Sequence, residues 1–205
     1  MGRDSYYRIP TLKLKTGPEK FPVTVEQVKQ YLGLDEDNND FNSLLTSLLD
    51  SAVRRIELNT GLRLITQSWY QYEFDWPEDE DYFEMRLNPV QSITAVKYRV
   101  YNSSSYSTWA STNYELDDSA EPARLWLKDT ATWPTSSLSY IKPIQIEFVA
   151  GFGDDEDDVD GELVMAIKQM VEHWFENRGT IVTGTIVAKI PDTAAEIIEQ
   201  RRIYF

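Results

Sequence analysis

Residues 41–61 read FNSLLTSLLDSAVRRIELNTG and contain the clearest structural signal in the chain. Their apolar side chains recur at intervals of three and four residues, which is the spacing of one face of an α-helix. Gly61 follows the last turn, and glycine readily adopts the left-handed conformation that ends many helices. The stretch therefore predicts a long amphipathic helix. Its apolar positions are Phe41, Leu44, Leu45, Leu48, Leu49, Ala52, Val53 and Ile56.

Three further helices are predicted around this stretch. Thr24 and Gln27 have the spacing of a capping box before a short helix that runs from about Val25 to Leu32. Residues 163–175 repeat the helical spacing, and Pro191 marks the start of a final short helix. We therefore expect two long amphipathic helices with a short helix near each end of the chain.

Between the long helices the hydrophobic period changes from 3.6 to 2, which indicates β-strands. We expect a twisted antiparallel sheet of about five or six short strands over residues 64–150. The predicted fold class is thus α+β, a small helical bundle with an inserted antiparallel β-rich segment. The alternating runs are residues 70–76, 83–87, 94–100, 109–116, 123–127 and 144–148.

The composition excludes several classes of function. Thirty-four acidic residues against 20 basic ones give a net charge of −14, which opposes sequence-independent binding to DNA or to an anionic membrane. No stretch approaches the roughly 20 apolar residues of a transmembrane helix. The chain has no cysteine, so a thiol nucleophile and a cysteine-ligated zinc site are excluded. We expect a soluble protein made in a reducing cytoplasm.

Two acidic runs, residues 78–81 and 154–160, are the strongest candidates for chemistry. A pair of carboxylates can carry out catalysis in a glycosidase, and clustered carboxylates can bind hard cations. An EF-hand loop does not fit, because Ile167 occupies the position that requires a carboxylate six residues after Gly161. We predict instead a solvated loop before a helix N-terminus, where negative charge is favourable. The second run contains Asp154, Asp155, Glu156, Asp157, Asp158 and Asp160.

No other motif predicts a catalytic or cofactor site. The single histidine, His173, is predicted to lie at the edge of an apolar helix face. Neither a Walker A loop nor a Rossmann glycine motif is present, and we expect no cofactor. The aromatic side chains of the strands are predicted to serve core and interface packing, because no basic groove is evident beside them.

The first 22 residues form a separate basic segment. Pro10, Pro18 and Pro22 interrupt any helix, so we expect an extended arm. Its charge is opposite to that of the remaining chain, and an arm laid on the acidic body of a neighbouring copy would gain electrostatic attraction. A disordered terminus with no partner is the alternative. The basic residues of the arm are Arg3, Arg8, Lys13, Lys15 and Lys20.

Several segments, taken in order, resemble one known family. Residues 23–32 (VTVEQVKQYL), 56–61 (IELNTG) and 64–69 (LITQSW) resemble the gp6-like (phiE125 gp8-type) head-tail connector family of tailed bacteriophages. Later segments agree in order and spacing with that family. These are residues 87–98 (LNPVQSITAVKY), 146–153 (IEFVAGFG), 166–169 (AIKQ) and 173–178 (HWFENR).

The resemblance covers about residues 22–205 and implies a non-enzymatic adaptor, also called a head completion protein. Such a protein forms a ring, dodecameric in the virion, beneath the portal protein, and a subunit in isolation can be monomeric. The ring extends the DNA channel without binding the genome specifically, and it docks a stopper or another neck or tail protein. The resemblance also implies that the C-terminal tail contacts the portal. The residues concerned are Ile197, Ile198, Arg201, Arg202, Ile203, Tyr204 and Phe205.

We therefore predict an arm over residues 1–22 and one connector domain over residues 23–205. This domain is expected to be helical over 23–63, β-rich over 64–150 and helical again over 161–205, with a portal-facing tail.

The predicted location is the head-tail junction of a virion assembled in a bacterial host, with no contact to a membrane. As a hypothesis, the acidic run 154–160 faces the channel, where negative charge repels DNA and lets the genome slide, and the run 78–81 is a further candidate. Another neck or tail component, such as a stopper or tail terminator, is the alternative. A carboxylate-dependent hydrolase remains the alternative from a different class.

Overall fold

The computed structural model describes residues 10–78, 80–177 and 191–204. Within these ranges the chain forms four α-helices and two antiparallel sheets with eight strands. The chain divides into two compact units. The sheet unit comprises Met1–Gly17, Thr66–Gly151 and Tyr204–Phe205, and the helical unit comprises Pro18–Ile65 and Phe152–Ile203.

The helices are α1 (Val25–Leu32), α2 (Asn42–Thr60), α3 (Gly161–Glu176) and α4 (Asp192–Gln200). The strands are β1 (Thr11–Thr16), β2 (Gln67–Glu73), β3 (Tyr82–Glu84), β4 (Val90–Tyr98), β5 (Ser107–Trp109), β6 (Tyr114–Asp117), β7 (Arg124–Leu127) and β8 (Ile144–Ala150). None of the helices in the described ranges combines the length and the apolar character needed to cross a bilayer.

Local sequence signals define the ends of the first two helices. The predicted capping box of α1 is confirmed, because the Gln27 amide donates to Thr24 Oγ1 at 3.1 Å and the Thr24 amide donates to Gln27 Oε1 at 3.3 Å. Gly33 and Gly61 follow α1 and α2 with φ values of 65° and 79°. These left-handed conformations end both helices, and the end at Gly61 agrees with the prediction.

The helical unit has its own apolar core. The core-facing sides of α2 and α3 supply most of it, and α1 and α4 each contribute buried residues. Phe41 and Phe175 meet edge to face with ring centroids 5.3 Å apart. The chain after α4 is tied to the end of α2, since the Ile203 amide donates to the Thr60 carbonyl at 2.9 Å.

The sheet unit contains both sheets and a second core. The larger sheet has the strand order β1-β2-β8-β4-β5, and the smaller has the order β3-β7-β6. Both contribute to one buried cluster, which includes Phe148 from β8 and Leu125 from β7. Trp76 lies among the aromatic rings of this cluster and stacks on Trp133 with centroids 5.1 Å apart.

The predicted fold class, a small helical bundle with two long helices and an inserted β-rich segment, is wrong. The β-rich segment builds two antiparallel sheets with a core of their own, so the described chain is not a helical bundle. The strand β1 also comes from residues outside the predicted insertion, and it pairs with β2 from Thr11 opposite Tyr72 to Thr16 opposite Ser68. The physical reason is that β1 pairs with a strand far along the chain, and hydrophobic periodicity does not reveal such a partner. The division into an arm and a connector domain stays a prediction.

A half-buried carboxylate lies on β2 beside this core. Glu73 shares one side of β2 with Gln71, whose amide nitrogen donates to Glu73 Oε1 at 2.6 Å. Loss of hydration on burial raises the pKa of Glu73 to about 7, although the Gln71 hydrogen bond and the charge of Arg86 act in the opposite direction. The folded chain therefore favours the protonated acid at mildly acidic pH.

The helical core generates a prediction for α2. Replacing Leu49, which has no exposed surface, with alanine should lower the free energy of unfolding by about 2 to 5 kcal/mol, because the change removes buried methyl groups and leaves a cavity. The matched control is Leu58→Ala on the same helix, where the side chain is 80% exposed and the loss should stay within about 0.5 kcal/mol. Urea denaturation measures both, and equal losses would contradict the assignment of faces.

Glu73 generates a second prediction. The pKa of Glu73 in the folded chain lies above its unfolded value of 4.5. The protonated side chain therefore contributes its full stabilisation below pH 4.5, and this contribution is lost as the pH rises through about 7. Glu73→Gln should remove this loss, so the variant should be more stable than the native chain at pH 8, by on the order of 3 kcal/mol. The two chains should be similarly stable near pH 4.

Urea midpoints measured between pH 4 and pH 8 test this expectation. Glu115→Gln, at an exposed position of β6, controls for the removal of one negative charge. Parallel stability curves for Glu73→Gln and the native chain would show that the Glu73 carboxyl group carries no such penalty.

Candidate functional site

The acidic run 154–160 begins where β8 ends. Gly151 has a φ of 140°, a conformation that favours glycine. Two residues later, a Cβ on Gly153 would lie 2.6 Å from Asp158 Cβ, so only glycine fits there without rearrangement. The chain can therefore fold the carboxylate of Asp158 back over the turn.

Three of the six carboxylates in this run support the local structure. The Asp155 amide donates to Asp158 Oδ2 at 3.0 Å, and these two residues cap the short 3-10 helix Glu156–Asp158. Asp160 caps α3 by accepting from the Glu162 amide at 3.0 Å. Acidic side chains at these positions are favourable because they meet unpaired amides of helix N-termini.

Two cations from distant parts of the sequence contact the same run. Lys20 pairs with Asp155, and this hydrogen bond raises the pKa of Lys20. Arg201 pairs with Asp160 and also approaches Glu162 Oε2 at 3.0 Å. The carboxylates of Asp154, Glu156 and Asp157 differ, because they form no hydrogen bond or ion pair with the described residues, although the charges of Glu156 and Asp154 help to raise the pKa of Lys20. These three carboxylates keep their charge free of direct pairing, Asp154 and Asp157 at exposed positions and Glu156 at a half-buried one.

The structure provides no support for a metal centre or a carboxylate pair among the described residues. In residues 10–78, 80–177 and 191–204, no three histidine or acidic side chains converge as a ligand set. In the run 78–81, Glu78, Glu80 and Asp81 are exposed, and Asp79 lies outside the described residues.

The carboxyl group with a strongly raised pKa is Glu73, which belongs to neither run. In the alternating sequence of β2, Glu73 occupies a polar position, which is typical of a solvent-exposed side chain.

His173 lies on the last turn of α3 and is half-buried. Asn177 donates to the His173 carbonyl oxygen at 2.7 Å, and the next two residues, Trp174 and Phe175, lie in the core. The side chain therefore occupies the edge of the apolar face, as predicted.

The predicted portal-facing residues differ in exposure. Ile198 is 6% exposed and belongs to the helical core, and Ile197 and Ile203 pack against that core. Arg202 is exposed and lies 3.8 Å from Glu199, and Tyr204 is 67% exposed. Phe205 lies outside the described residues. The accessible part of this set is therefore Arg201, Arg202 and Tyr204.

The predicted arm residues also separate into groups. Arg3 and Arg8 lie outside the described residues. Lys13 and Lys15 lie on β1, and Lys15 pairs with the buried carboxylate of Glu147 on β8. Of this set, Lys20 lies in the helical unit, where it binds Asp155.

The chain matches one protein family and several solved structures. The model of the phage gp6-like head-tail connector protein family matches residues 22–123. A chain in the neck of an empty gene transfer agent (GTA) particle, computed with C6 symmetry, is 21% identical with a TM-score of 0.76. The alignment covers 95% of this chain and 96% of that chain.

Two related structures agree. A chain in the virion of the native GTA particle is 19% identical with a TM-score of 0.75, and a chain in the neck of the native particle, computed with C12 symmetry, is 20% identical with a TM-score of 0.74. Each alignment covers 95% of this chain and 96% of the other. A comparison with curated protein sequences found no match. The order of motifs and the family match lead to one assignment: over residues 22–123 the chain matches the phage gp6-like head-tail connector family, and it is a structural head-tail connector protein.

Proposed function

We propose that this chain forms a ring at the junction between the head and the tail, beneath the portal protein. The observation that carries the proposal is the shared fold, over 95% of the chain, with proteins resolved in particle necks of C6 and C12 symmetry. In this role the ring extends the DNA channel and docks a stopper or another neck protein. Twelve copies is the number favoured by the C12 neck and by the family resemblance.

The C-terminal tail is proposed as the portal contact. Arg201 is held by Asp160, and the Ile203 amide is held by the Thr60 carbonyl, so the base of the tail is fixed on the helical unit. The exposed side chains of Arg202 and Tyr204 follow from that fixed base. Arginine and tyrosine are enriched at protein interfaces because they combine contact area with hydrogen bonding.

Silencing this gene in its parent phage tests the proposal. We expect heads and complete tails that remain separate in electron micrographs, with DNA lost from the heads, because the connector acts after packaging. Supplying the native chain from a plasmid should restore joined particles. Normal tailed virions in the absence of the chain would overturn the proposal.

The same complementation assay tests the tail. A chain carrying Arg202→Ala and Tyr204→Ala should restore at least tenfold fewer joined particles than the native chain. Leu58→Ala, which alters another exposed apolar side chain, should complement fully. Full complementation by the tail variant would place the portal contact elsewhere.

The acidic run is proposed to face the channel. Twelve copies would carry a total charge of roughly −170, and a negative wall repels DNA at short range so that it slides. Asp154, Glu156 and Asp157 suit this role because the other three carboxylates of the run are engaged in caps and ion pairs.

Changing these three residues to Asn, Gln and Asn should leave particle assembly intact and slow DNA ejection several-fold. The control removes the same charge at Asp118, Glu121 and Asp129, which are exposed positions of the sheet unit. Single-particle fluorescence of DNA release measures both. Ejection at the native rate in the first variant, or equal slowing in the two, would argue against the channel assignment.

A further inference from the structure

One face of the five-stranded sheet concentrates positive charge in an acidic protein. Side chains alternate between the two faces of a strand, and one face of this sheet packs into the core. The opposite face carries Lys13 and Lys15 on β1 and Lys97 on β4, and the Arg99 and Lys142 side chains join them beside it. We call this surface the basic sheet face. Its members are Lys13, Lys15, Lys97, Arg99, Lys142, Tyr70, Tyr72 and Tyr106.

Direct contacts join the cations to the tyrosines of this face. The ammonium of Lys142 lies 4.5 Å from the ring centroid of Tyr72, and that of Lys15 lies 6.0 Å from the centroid of Tyr70. The two tyrosine rings are 6.2 Å apart.

The face continues toward β5 through Tyr106. Its hydroxyl donates to the Lys142 carbonyl oxygen at 2.6 Å, and the Arg99 guanidinium lies 5.2 Å from its ring centroid. The five cations and three rings therefore form one continuous surface.

One carboxylate organises the centre of the face. Glu147 is buried on β8 and pairs with Lys15, and Lys97 Nζ approaches its Oε2 at 3.4 Å. Among the described strand positions on this side of the sheet, Glu147 is the one acidic residue. Five cations against one carboxylate leave a local excess of positive charge, whereas the whole chain carries −14.

An acidic turn on the helical unit has the complementary charge. Residues 35–40 connect α1 to α2 and expose Asp35, Glu36, Asp37 and Asp40. None of these four carboxylates forms an ion pair with the described part of the chain. The turn is ordered, because the Asp37 amide donates to Asp35 Oδ1 at 3.0 Å and the Asp40 amide donates to Asn38 Oδ1 at 2.8 Å.

We propose that the basic sheet face of one copy binds the acidic turn 35–40 of the next copy in the ring. The proposal rests on the ring assembly proposed above. A closed ring with more than two subunits uses two different patches on each subunit, and these two surfaces supply such a pair with opposite charge. Tyrosines suit the contact, since they are enriched at protein interfaces and lose little conformational entropy on binding.

Duplex DNA fits the face less well than a second copy does. Two of the five cations already share Glu147, which reduces the counterion release that drives binding to phosphates. The net charge of the chain repels DNA as a whole, whereas an acidic turn on a short loop reaches the face locally.

The absence of native cysteine allows a clean cross-linking test in assembled particles. A chain carrying Lys142→Cys and Asp37→Cys complements the silenced gene, and particles are treated with a short bis-maleimide linker. We expect a ladder of covalent multimers on denaturing gels. The matched control carries Arg55→Cys with Asp37→Cys, which changes another exposed cation, and should give at least tenfold less cross-linked product.

Each outcome decides between the alternatives. Equal ladders from both pairs, or no ladder from a chain that is present in the particles, would overturn the pairing and leave the ring proposal standing. If the native chain is absent from particles, the proposed function itself fails.

Fluorescence anisotropy of a short duplex DNA tests the remaining alternative with purified chain. No binding at physiological salt is expected. Binding that Lys97→Glu with Lys142→Glu abolishes, and that Arg55→Glu with Lys128→Glu leaves intact, would assign the face to DNA and overturn the proposal.

Discussion

Backbone pairing on both sides of β8 is the constraint on which the sheet unit depends. This strand is hydrogen-bonded to β2 from Gln67 opposite Ala150 to Glu73 opposite Ile144, and to β4 along the other edge. Its alternate side chains enter the core, so a slip of one residue would exchange Phe148 for a charged neighbour. The same register places Glu147 beneath the lysines of the opposite face. One strand thereby fixes both a hydrophobic core and the arrangement of a charged surface.

Local sequence signals predicted the helices. They could not predict which strands pair or which polar side chains become buried. Thr24, Gln27 and Gly61 act within a few residues of themselves, so their spacing was sufficient to place helix ends. Nothing near Thr11–Thr16 indicates that its partner is β2, which lies far along the chain. The buried side chain of Gln71 shows the second limit. It donates to the Glu84 carbonyl and accepts from the Arg86 amide, and these partners exist only once the sheet unit has folded.

The acidic run 154–160 also separates what the sequence predicts from what only the folded structure shows. Its sequence predicted a solvated loop before a helix, and the Asp160 cap of α3 confirms the helix start. Which carboxylates are engaged was not predictable, because Lys20 and Arg201 reach the run from opposite ends of the chain. These ion pairs divide the run into a structural part and a part whose charge is available. Only the second part can act on a passing polyanion without disturbing the fold.

Electrostatics also bears on when a ring would form. Copies with a net charge of −14 repel one another, and salt screening confines both this repulsion and the attraction of the basic sheet face to short distances. Glu147 reduces that attraction further by engaging Lys15 and Lys97 within the same chain. A contact of this kind is weak between free subunits and becomes effective when neighbours are already held side by side. A portal ring would supply that arrangement, since binding each subunit to a fixed site raises the effective concentration of its neighbour. Assembly of the proposed ring would then follow binding to the portal.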